Sequence, residues 1–354
     1  MYFDICALSF VIILTFVLCH LSFHLMILVT GANGYVGVHL VERLCGEGMT
    51  VRALVRRGCS NGEQAFLSEM GAQVVEADLE EEALLLRALE GVETVVHLLG
   101  SIERPARGSY SDMHTRKTRL LLRAFRAAIH ASKRKGAVAR PAGEGRVVYL
   151  SAIGASGEAG NQYLKTKREA EEEIRLSGLE YIVIRSSLVF GRSTGVRDSK
   201  IIKKLARMAV GRRAVPLVRS GRNRLQPIYI GDLVSCIADA IAAQGCPREV
   251  WEVGGPRILT LREITALLIK TLGLQRRIVG IPYPVAYLVG LGALLLRREG
   301  TLNFEQIRMS RCDTICTRNR AESILGDRLT GFEDGMRKTV ARFGLAGLKG
   351  ETGQ

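Results

Sequence analysis

The sequence has no Cys-x-x-Cys pair, and no histidine occurs after residue 130. Its eight cysteines are scattered, and Cys312-x-x-x-Cys316 has no second pair that would complete a zinc site. We therefore expect no bound metal, and free thiols in a reducing compartment. A serine hydrolase needs a histidine to activate its nucleophile, and none follows the best serine candidates, which weighs against that chemistry.

Acidic residues are also few, since 35 Asp and Glu stand against 50 Lys and Arg, for a net charge of +15. This charge favours contact with anionic surfaces such as phospholipid, although ordinary solubility explains it equally well. Hydrophobic residues make up 47% of the 354 residues. That content excludes wholesale disorder and suffices for one large domain or two ordinary ones. We expect no specific nucleic acid partner.

The first 25 residues contain an apolar, uncharged run over 5–19. No basic residues precede it and no small-x-small site follows, so a secretory signal is not indicated. A membrane anchor is one interpretation, because the stretch 5–30 has no Lys or Arg and is long enough to span a bilayer. The other is that Met26 is the true start and that residues 1–25 are a mis-assigned extension. We favour the second interpretation.

Short apolar runs alternate with amphipathic helical patterns through the first half of the chain. These runs predict strands at 26–30, 50–55, 72–77, 93–99, 146–151 and 180–185. Apolar strands interleaved with helices are typical of a parallel sheet covered on both faces. We therefore predict an α/β fold, a doubly wound parallel (Rossmann) sheet, over 26–187. Residues 188–345 are expected to form a smaller, mainly helical cap and substrate region partly packed on that domain, and 346–354 a tail.

Three glycines at three-residue spacing follow the first predicted strand: Gly31, Gly34 and Gly37. The first allows a tight turn, the second lets the backbone approach a pyrophosphate, and the third lets helix and strand pack closely. The helix that begins here offers free N–H groups to the phosphates. The sequence therefore predicts a dinucleotide site at this turn, and we assign its remaining contacts to Asn33, Tyr35 and Val36.

The end of the second predicted strand indicates which dinucleotide is bound. An NAD site usually has an acidic residue there for the ribose 2′-hydroxyl, but this sequence has Arg56 and Arg57. Because guanidinium groups suit a 2′-phosphate, we predict NADP(H), with NAD(H) as the alternative. Asp78 and Leu79, after the third strand, are expected to border the adenine, and Gly100, after the fourth, to lie beside the cofactor.

A serine, a tyrosine and a lysine are the candidate catalytic residues. Ser151 closes the fifth predicted strand, Tyr163 begins the next helix, and Lys167 lies one turn further on the same face. A nearby ammonium and a positive nicotinamide ring would lower the pKa of the Tyr163 phenol, which could then exchange a proton with a carbonyl or alcohol. Ser151 would hydrogen-bond the same oxygen, and Lys167 would also hold the nicotinamide ribose.

Six stretches of the sequence together resemble the short-chain dehydrogenase/reductase superfamily, in its extended or atypical branch. They are ILVTGANGYVG, VRALVRR, VVYLSAIGA with YLKTK, YIVIRSSLVFG, QPIYIGDLVSCIADAI and WEVGGPRILTLREI. More narrowly, the chain is similar to the group related to the NADPH-binding accessory subunit of respiratory complex I. The resemblance covers roughly residues 26–345. It implies a cofactor on the three glycines and catalysis by the Ser-Tyr-Lys set.

The sequence departs from this pattern at three places. Relatives often carry an asparagine after the fourth strand, where this sequence has His114, so a proton relay there is in doubt. The basic stretch 132–145 predicts a longer exposed loop than usual, and the turn at 190–200 lacks the expected acidic residues. The uncharged segment 278–296 is expected to be a buried cap helix, with a membrane-surface helix as the alternative, because Pro282 and Pro284 argue against a spanning helix.

Two functions from different classes follow. The first is an NADP(H)-dependent oxidoreductase, or an epimerase/dehydratase-like enzyme, acting on a small carbonyl, alcohol or sugar-like substrate. The second is a non-catalytic, NADPH-bound structural or assembly protein of a membrane respiratory or photosynthetic complex, with peripheral contact to anionic membrane. A redox-sensing regulator is a weaker third interpretation, because such proteins commonly lack the Tyr/Lys pair. We expect the protein in the cytoplasm, or in an organelle stroma or matrix.

Overall fold

The computed structural model describes residues 26–100, 109–134, 145–155, 161–191, 199–245, 247–295 and 304–343. The expectations for residues 1–25, for most of the loop at 132–145 and for the tail at 346–354 lie outside the described residues. The same holds for 192–198, which form most of the altered turn.

A seven-stranded parallel sheet forms the centre of the fold. Its strands are β1 (Met26–Thr30), β2 (Val51–Val55), β3 (Gln73–Glu76), β4 (Val92–His97), β5 (Arg146–Ala152), β6 (Glu180–Ser186) and β11 (Arg248–Val253). They lie in the order β11-β6-β5-β4-β1-β2-β3. The chain leaves β1 in one direction across the sheet and β4 in the other, so the carboxyl ends of β1 and β4 flank the switch point where such sheets bind ligands. The predicted doubly wound parallel sheet is confirmed.

Helices cover both faces of this sheet because successive strand residues point to opposite sides. The helices of this domain are α1 (Tyr35–Gly46), α2 (Asn61–Glu69), α3 (Glu82–Ala88), α4 (Lys117–Arg134), α5 (Gln162–Leu176) and α7 (Ile230–Ala242). A π-helical turn at Asp112–Arg116 directly precedes α4. On β1, Ile27 and Val29 pack in one core cluster with α1 and α7, whereas Leu28 packs in a second with α3, α4 and α5.

The cap contains helices and short strand pairs. Its strands are β7 (Val189–Phe190), β8 (Ala214–Val218), β9 (Arg224–Leu225), β10 (Ile228–Tyr229), β12 (Leu259–Thr260) and β13 (Arg277–Ile281), paired as β7 with β10, β8 with β13, and β9 with β12. Its helices are α6 (Lys200–Gly211), α8 (Leu261–Thr271), α9 (Tyr283–Leu295), α10 (Phe304–Met309), α11 (Arg320–Leu325) and α12 (Phe332–Phe343). The C-terminal part is therefore mainly helical, as predicted.

Two elements after residue 188 complete the sheet domain instead of the cap. Strand β11 pairs with β6 through Val253 and Ser186, and α7 packs on the face that α1 also covers. A buried ion pair ties this region together: Arg146 donates to Glu180 at 3.0 Å and to the carbonyl of Ala243, just beyond α7, at 2.6 Å. The sheet domain thus takes its last helix and strand from the C-terminal half of the chain.

Helix α9 corresponds to the uncharged segment singled out in the sequence. It is not the buried cap helix that we expected, because Val285, Leu288 and Val289 are 49%, 66% and 56% exposed. Its inner face packs Ala286 against Val218 and Ile307. Within the described part of the chain, no helix combines the length and apolar character needed to cross a bilayer.

Candidate cofactor and catalytic site

The glycine turn after β1 has the conformation that its sequence predicts. Gly31 has a φ of +70°, which favours glycine. A Cβ on Gly37 would lie 2.2 Å from the carbonyl oxygen of Gly31, and one on Gly34 would lie 2.9 Å from the same atom. Helix α1 starts after Gly34, which has no side chain to cap the first amides. The turn is therefore packed tightly against the start of α1, the arrangement that dinucleotide-binding turns have.

One cavity of about 500 Å³ joins this turn to the three candidate catalytic residues. The predicted site residues in its wall are Gly31, Gly34, Tyr35, Val36, Gly37, Gly100, Ser151, Tyr163 and Lys167. This volume lies in the range of small-molecule and cofactor sites. The structure thus brings nine of the predicted residues together at the carboxyl edge of the sheet.

The other five predicted cofactor residues lie outside the wall of this cavity. Asn33 is buried and donates to Cys59 Sγ and to Glu63 Oε1, each at 3.3 Å, which ties the glycine turn to the loop after β2. Leu79 is 4% exposed and packs in the core. The backbone N–H of Asp78 donates to Glu81 Oε2 at 3.0 Å. These contacts make Asn33 and Leu79 supports of the site's framework.

Arg56 and Arg57 follow β2 directly, and both are exposed. The Arg57 guanidinium contacts Oε1 of Glu81 at 2.7 Å. Because the side chain of Arg57 is 60% exposed, this ion pair is weak and Arg57 can exchange its partner for a phosphate. The two arginines thus lie where the sequence analysis placed them, directly after β2. Their selection of NADP(H) stays a prediction.

Lys167 lies in the wall with its ammonium group almost fully buried. Its Nζ donates to the carbonyl of Leu150 at 2.8 Å and lies 4.6 Å from the centre of the Tyr149 ring. Burial lowers the pKa of Lys167 to about 7, and the charge of Glu171 partly opposes this shift. A Cβ on Gly100 would lie 2.8 Å from Nζ, so glycine at that position leaves room for the lysine.

Tyr163 begins α5 beside two other aromatic rings. Asn161 caps the helix by accepting from the N–H of Tyr163 at 2.8 Å, which fixes the start of the helix. The Tyr163 ring meets His114 edge-on at 5.5 Å between ring centres. Burial, with a smaller contribution from Tyr110, raises the pKa of Tyr163 to about 12. The sequence analysis expected a lowered pKa with a positive nicotinamide ring beside the phenol; in the chain by itself, burial raises it.

Ser151 contacts an ion pair that the sequence analysis did not identify. Its hydroxyl donates to Oε1 of Glu171 at 2.5 Å, and Arg185 donates to both carboxylate oxygens of Glu171. Ser151 and Arg185 are register partners on β5 and β6, which brings both next to Glu171 on α5. The sequence contains one indication that Glu171 belongs to the site: it lies one helical turn after Lys167, on the same face of the helix.

His114 fills the position at which an asparagine is expected. It is fully buried, and its Nδ1 lies 2.9 Å from Oγ1 of Thr166. Its Nε2 has no hydrogen-bond partner within the described residues and would lie 3.2 Å from a Cβ on Gly100. Burial, reinforced by the charge of Lys167, lowers the pKa of His114 to about 2, so the ring stays neutral at physiological pH.

Comparison with known proteins identifies the family. The model of the NAD dependent epimerase/dehydratase family matches residues 27–254. The chain belongs to this family. The resemblance inferred from the motifs is thereby confirmed. Two curated relatives of this epimerase/dehydratase chain are a mitochondrial NADH dehydrogenase [ubiquinone] 1 alpha subcomplex subunit 9 and a chloroplastic divinyl chlorophyllide a 8-vinyl-reductase, both from Arabidopsis thaliana.

The first relative is 24% identical over 82% of this chain, and the second is 28% identical over 73%. The chain spans 71% of the length of the first relative and 60% of the length of the second. Among solved structures, MoeE5 in complex with UDP-glucuronic acid and NAD matches with a TM-score of 0.65 and 22% identity, over 89% of this chain and 97% of that chain.

The triphenylmethane reductase of Citrobacter sp., complexed with NADP(H), matches with a TM-score of 0.66 and 15% identity, over 89% of this chain and 99% of that chain. At these identities the two structures show a shared fold. Of these two proteins, MoeE5 is complexed with NAD and the triphenylmethane reductase with NADP(H). The epimerase/dehydratase fold therefore does not select between the nucleotides.

Proposed function

We propose that this protein is an NADP(H)-dependent oxidoreductase that moves a hydride to or from a carbonyl, alcohol or sugar-like substrate. The observation that carries the proposal is the single cavity, whose wall holds the glycine turn together with Ser151, Tyr163 and Lys167. Reductases among its relatives support the same class of chemistry. An epimerase or dehydratase would use the same residues, but the hydride taken from the substrate would return to that same molecule before the product is released.

The glycine turn fits a dinucleotide, because a Cβ on Gly34 or Gly37 would clash with the carbonyl oxygen of Gly31, so the turn can pack this tightly against α1 only with glycine at both positions. When bound, the nicotinamide ring supplies or accepts the hydride. With a pKa of about 12, Tyr163 is protonated at neutral pH and donates its hydroxyl proton to the substrate oxygen during reduction. Lys167, in its ammonium form, stabilises the phenolate that this transfer leaves, and its pKa of about 7 lets it hold or release a proton.

We assign NADP(H) as the preferred cofactor, with NAD(H) as the alternative. The exposed pair Arg56 and Arg57 at the end of β2 supports this assignment, since a 2′-phosphate would meet two guanidinium groups there. No acidic residue occupies either of the two positions directly after β2, where an NAD site usually has one.

The test combines cofactor identification with turnover. Native mass spectrometry of the purified protein is expected to show bound NADP(H). A panel of carbonyl compounds assayed with NADPH is expected to include one that the protein reduces, read as loss of the absorbance of the reduced cofactor. Tyr163→Phe should retain the nucleotide and lose turnover. Nucleotide binding without turnover on any carbonyl or alcohol would overturn the enzyme proposal.

A second candidate function is supported by the exposed apolar face of α9. The chain would then be a structural or assembly protein, with its cofactor bound, at a membrane respiratory or photosynthetic complex. Val285, Leu288 and Val289 provide an apolar contact surface, and the net charge of +15 favours peripheral contact with an anionic membrane. The relative that is a mitochondrial subunit of an NADH dehydrogenase supports this alternative and a location in an organelle, with the cytoplasm as the other location.

A further inference from the structure

The cavity continues beyond the catalytic residues into the cap, where one face of helix α6 forms part of its wall. This face carries two lysines, Lys200 and Lys204, and three apolar side chains, Ile201, Leu205 and Met208. Their spacing of three and four residues keeps them on one side of the helix. We call this part of the cavity the cap pocket, and its wall also includes Leu217, Val218 and Ile307. The cap pocket therefore combines an apolar wall with amino groups.

Lysine supplies every charged side chain in the wall of the cavity. Lys200 and Lys204 join Lys167, and no aspartate or glutamate lines the cavity within the described residues. Lys204 is half-buried, and Lys200 is exposed. Charges of one sign in a concave wall raise the local concentration of ligands of the opposite charge. The cap pocket therefore attracts anions.

The serines in the wall do not compete with the lysines for an anion. A hydroxyl has a single hydrogen, and each of the five serines that line the cavity donates it to another group of the protein. The acceptor is Glu171 for Ser151, and a backbone carbonyl for Ser186, Ser187, Ser199 and Ser310. A hydroxyl oxygen whose hydrogen is already used repels an anion, whereas the ammonium groups of Lys200 and Lys204 attract one.

We propose that the substrate is an amphipathic anion, in which a carboxylate or phosphate group is joined to an apolar body. Lys200 and Lys204 bind the anionic group, and the apolar side chains of the cap pocket contact the body. The reacting carbon then lies beside Tyr163. The charge-assisted hydrogen bonds and the burial of the apolar body both contribute to the affinity. This inference rests on the proposed function and narrows its substrate class.

The test uses octanoate and octanamide, which share an alkyl chain and differ in the charge of the end group. Calorimetric titration of the protein saturated with NADPH is expected to show that octanoate binds about tenfold more tightly at low salt, and that added salt reduces this preference. Acetate, which has the charge without the chain, should bind at least about tenfold more weakly than octanoate. Octyl phosphate, titrated beside octanoate, shows which of the two anionic groups the lysines prefer.

Replacement of Lys200 and Lys204 by Met removes the two charges and keeps side chains of similar length. The double variant should lose the preference for octanoate and keep its affinity for octanamide and for NADPH. The matched control is Lys203→Met, on the same helix but outside the cavity wall, which should keep the preference. Met208→Gln should weaken octanoate and octanamide alike. If the double variant does not fold, Lys204→Met alone should reduce the preference.

Equal affinity for octanoate and octanamide, or a preference that survives the double variant, would overturn the inference. A loss of NADPH affinity in the double variant would also overturn it, because the lysines would then bind the cofactor. UDP-glucose binding more tightly than octanoate would replace the apolar body by a polar one and refute the proposed class. Because binding is read without turnover, a protein that binds octanoate through these lysines but turns over no carbonyl or alcohol would contradict the proposed function alone.

Discussion

The hydroxyl of Ser151 donates a 2.5 Å hydrogen bond to Oε1 of Glu171. A hydroxyl has one hydrogen, and this bond uses it. As long as the bond to Glu171 is kept, Ser151 can therefore accept a hydrogen bond in the cavity but cannot donate one. It can then accept from the hydroxyl of an alcohol substrate, but it must change partner to donate to a carbonyl oxygen. The Glu171 carboxylate is itself fixed by Arg185, with contacts of 3.1 and 2.6 Å. Glu171 therefore decides how the serine is oriented.

We expect Glu171→Gln to disturb both the stability and the pH dependence of the site. Arg185 would lose its charged partner, which should lower the free energy of unfolding by about 1–3 kcal/mol. The Glu171 charge also opposes the burial effect on Lys167, so its removal should lower the pKa of Lys167 further below its present value of about 7. Urea unfolding and the pH profile of turnover measure these effects. An unchanged profile would contradict the assigned coupling, and Glu172→Gln, on the neighbouring exposed position, is the control.

Tyr163→Phe should separate catalysis from cofactor binding. The phenol is assigned to proton transfer, so its loss should abolish turnover with little change in the dissociation constant of NADPH. Lys167→Ala should damage both, because its ammonium is assigned to the ribose as well as to the phenol. Ser151→Ala should cause a smaller loss of kcat, since it removes one hydrogen bond to the reacting oxygen. Fluorescence titration and steady-state kinetics give the comparison, and equal losses in all three variants would refute these separate roles.

Replacement of both Arg56 and Arg57 by Ser should weaken NADPH binding by about 1–3 kcal/mol, the magnitude of charge-assisted hydrogen bonds, and leave NADH binding nearly unchanged. The contact between Arg57 and Glu81 adds a second expectation. Glu81→Gln should release Arg57 and strengthen NADPH binding. Titration of each variant with both nucleotides measures the difference, and equal losses for NADPH and NADH would show that the arginines do not select the cofactor.

The buried histidines should make the protein sensitive to acid. Burial lowers the pKa of His97 to about 3 and that of His114 to about 2, whereas both titrate near 6.5 when unfolded. As the pH falls from about 6.5 towards 3, the unfolded chain gains protons that the folded chain does not take up, so the free energy of unfolding decreases. His114→Asn should make this decrease shallower, as measured by urea unfolding across that range. His130→Asn, at an exposed position on α4, is the control, and an equal change in both variants would contradict the assignment.

The pattern of apolar residues predicts the sheet well, because each of these strands is a short apolar run that can be recognised from neighbouring residues alone. Each of the six predicted strands is found within about two residues of its expected ends, an accuracy typical of strongly patterned segments. The glycine turn is equally local, since its spacing and the following helix are contiguous in the chain. Strand β11 was harder to place, because Val253 pairs with Ser186 from far away in sequence.

Contacts between distant residues explain what sequence reasoning missed at the site. The orientation of Ser151 depends on Glu171 and Arg185, which come from α5 and β6. The raised pKa of Tyr163 results from burial in the folded chain, and spacing alone gives no measure of it. The position of Lys200 and Lys204 in the cavity wall is likewise visible only once the cap has folded over the sheet.

Helix α9 should bind the protein to anionic membranes. Its face exposes Leu288 and Val289 at 66% and 56%, and the whole segment 278–296 has no charge, while the chain as a whole carries +15. An exposed apolar helix face on a positively charged protein partitions into the boundary between head groups and acyl chains, and the electrostatic part of the attraction weakens with salt. Cosedimentation with vesicles that contain phosphatidylserine should therefore be strong at low salt and weaker at high salt.

Leu288→Glu should reduce this cosedimentation without lowering the melting temperature, because the side chain is mostly in solvent and packs little. Leu176→Glu is the matched control, since Leu176 is 74% exposed and lies at the end of a different helix, α5. Both substitutions change the net charge equally, so a loss confined to Leu288→Glu identifies the helix face as the contact. A protein that stays in the supernatant with these vesicles at low salt, or an equal loss in the two variants, would show that α9 is not a membrane-binding surface.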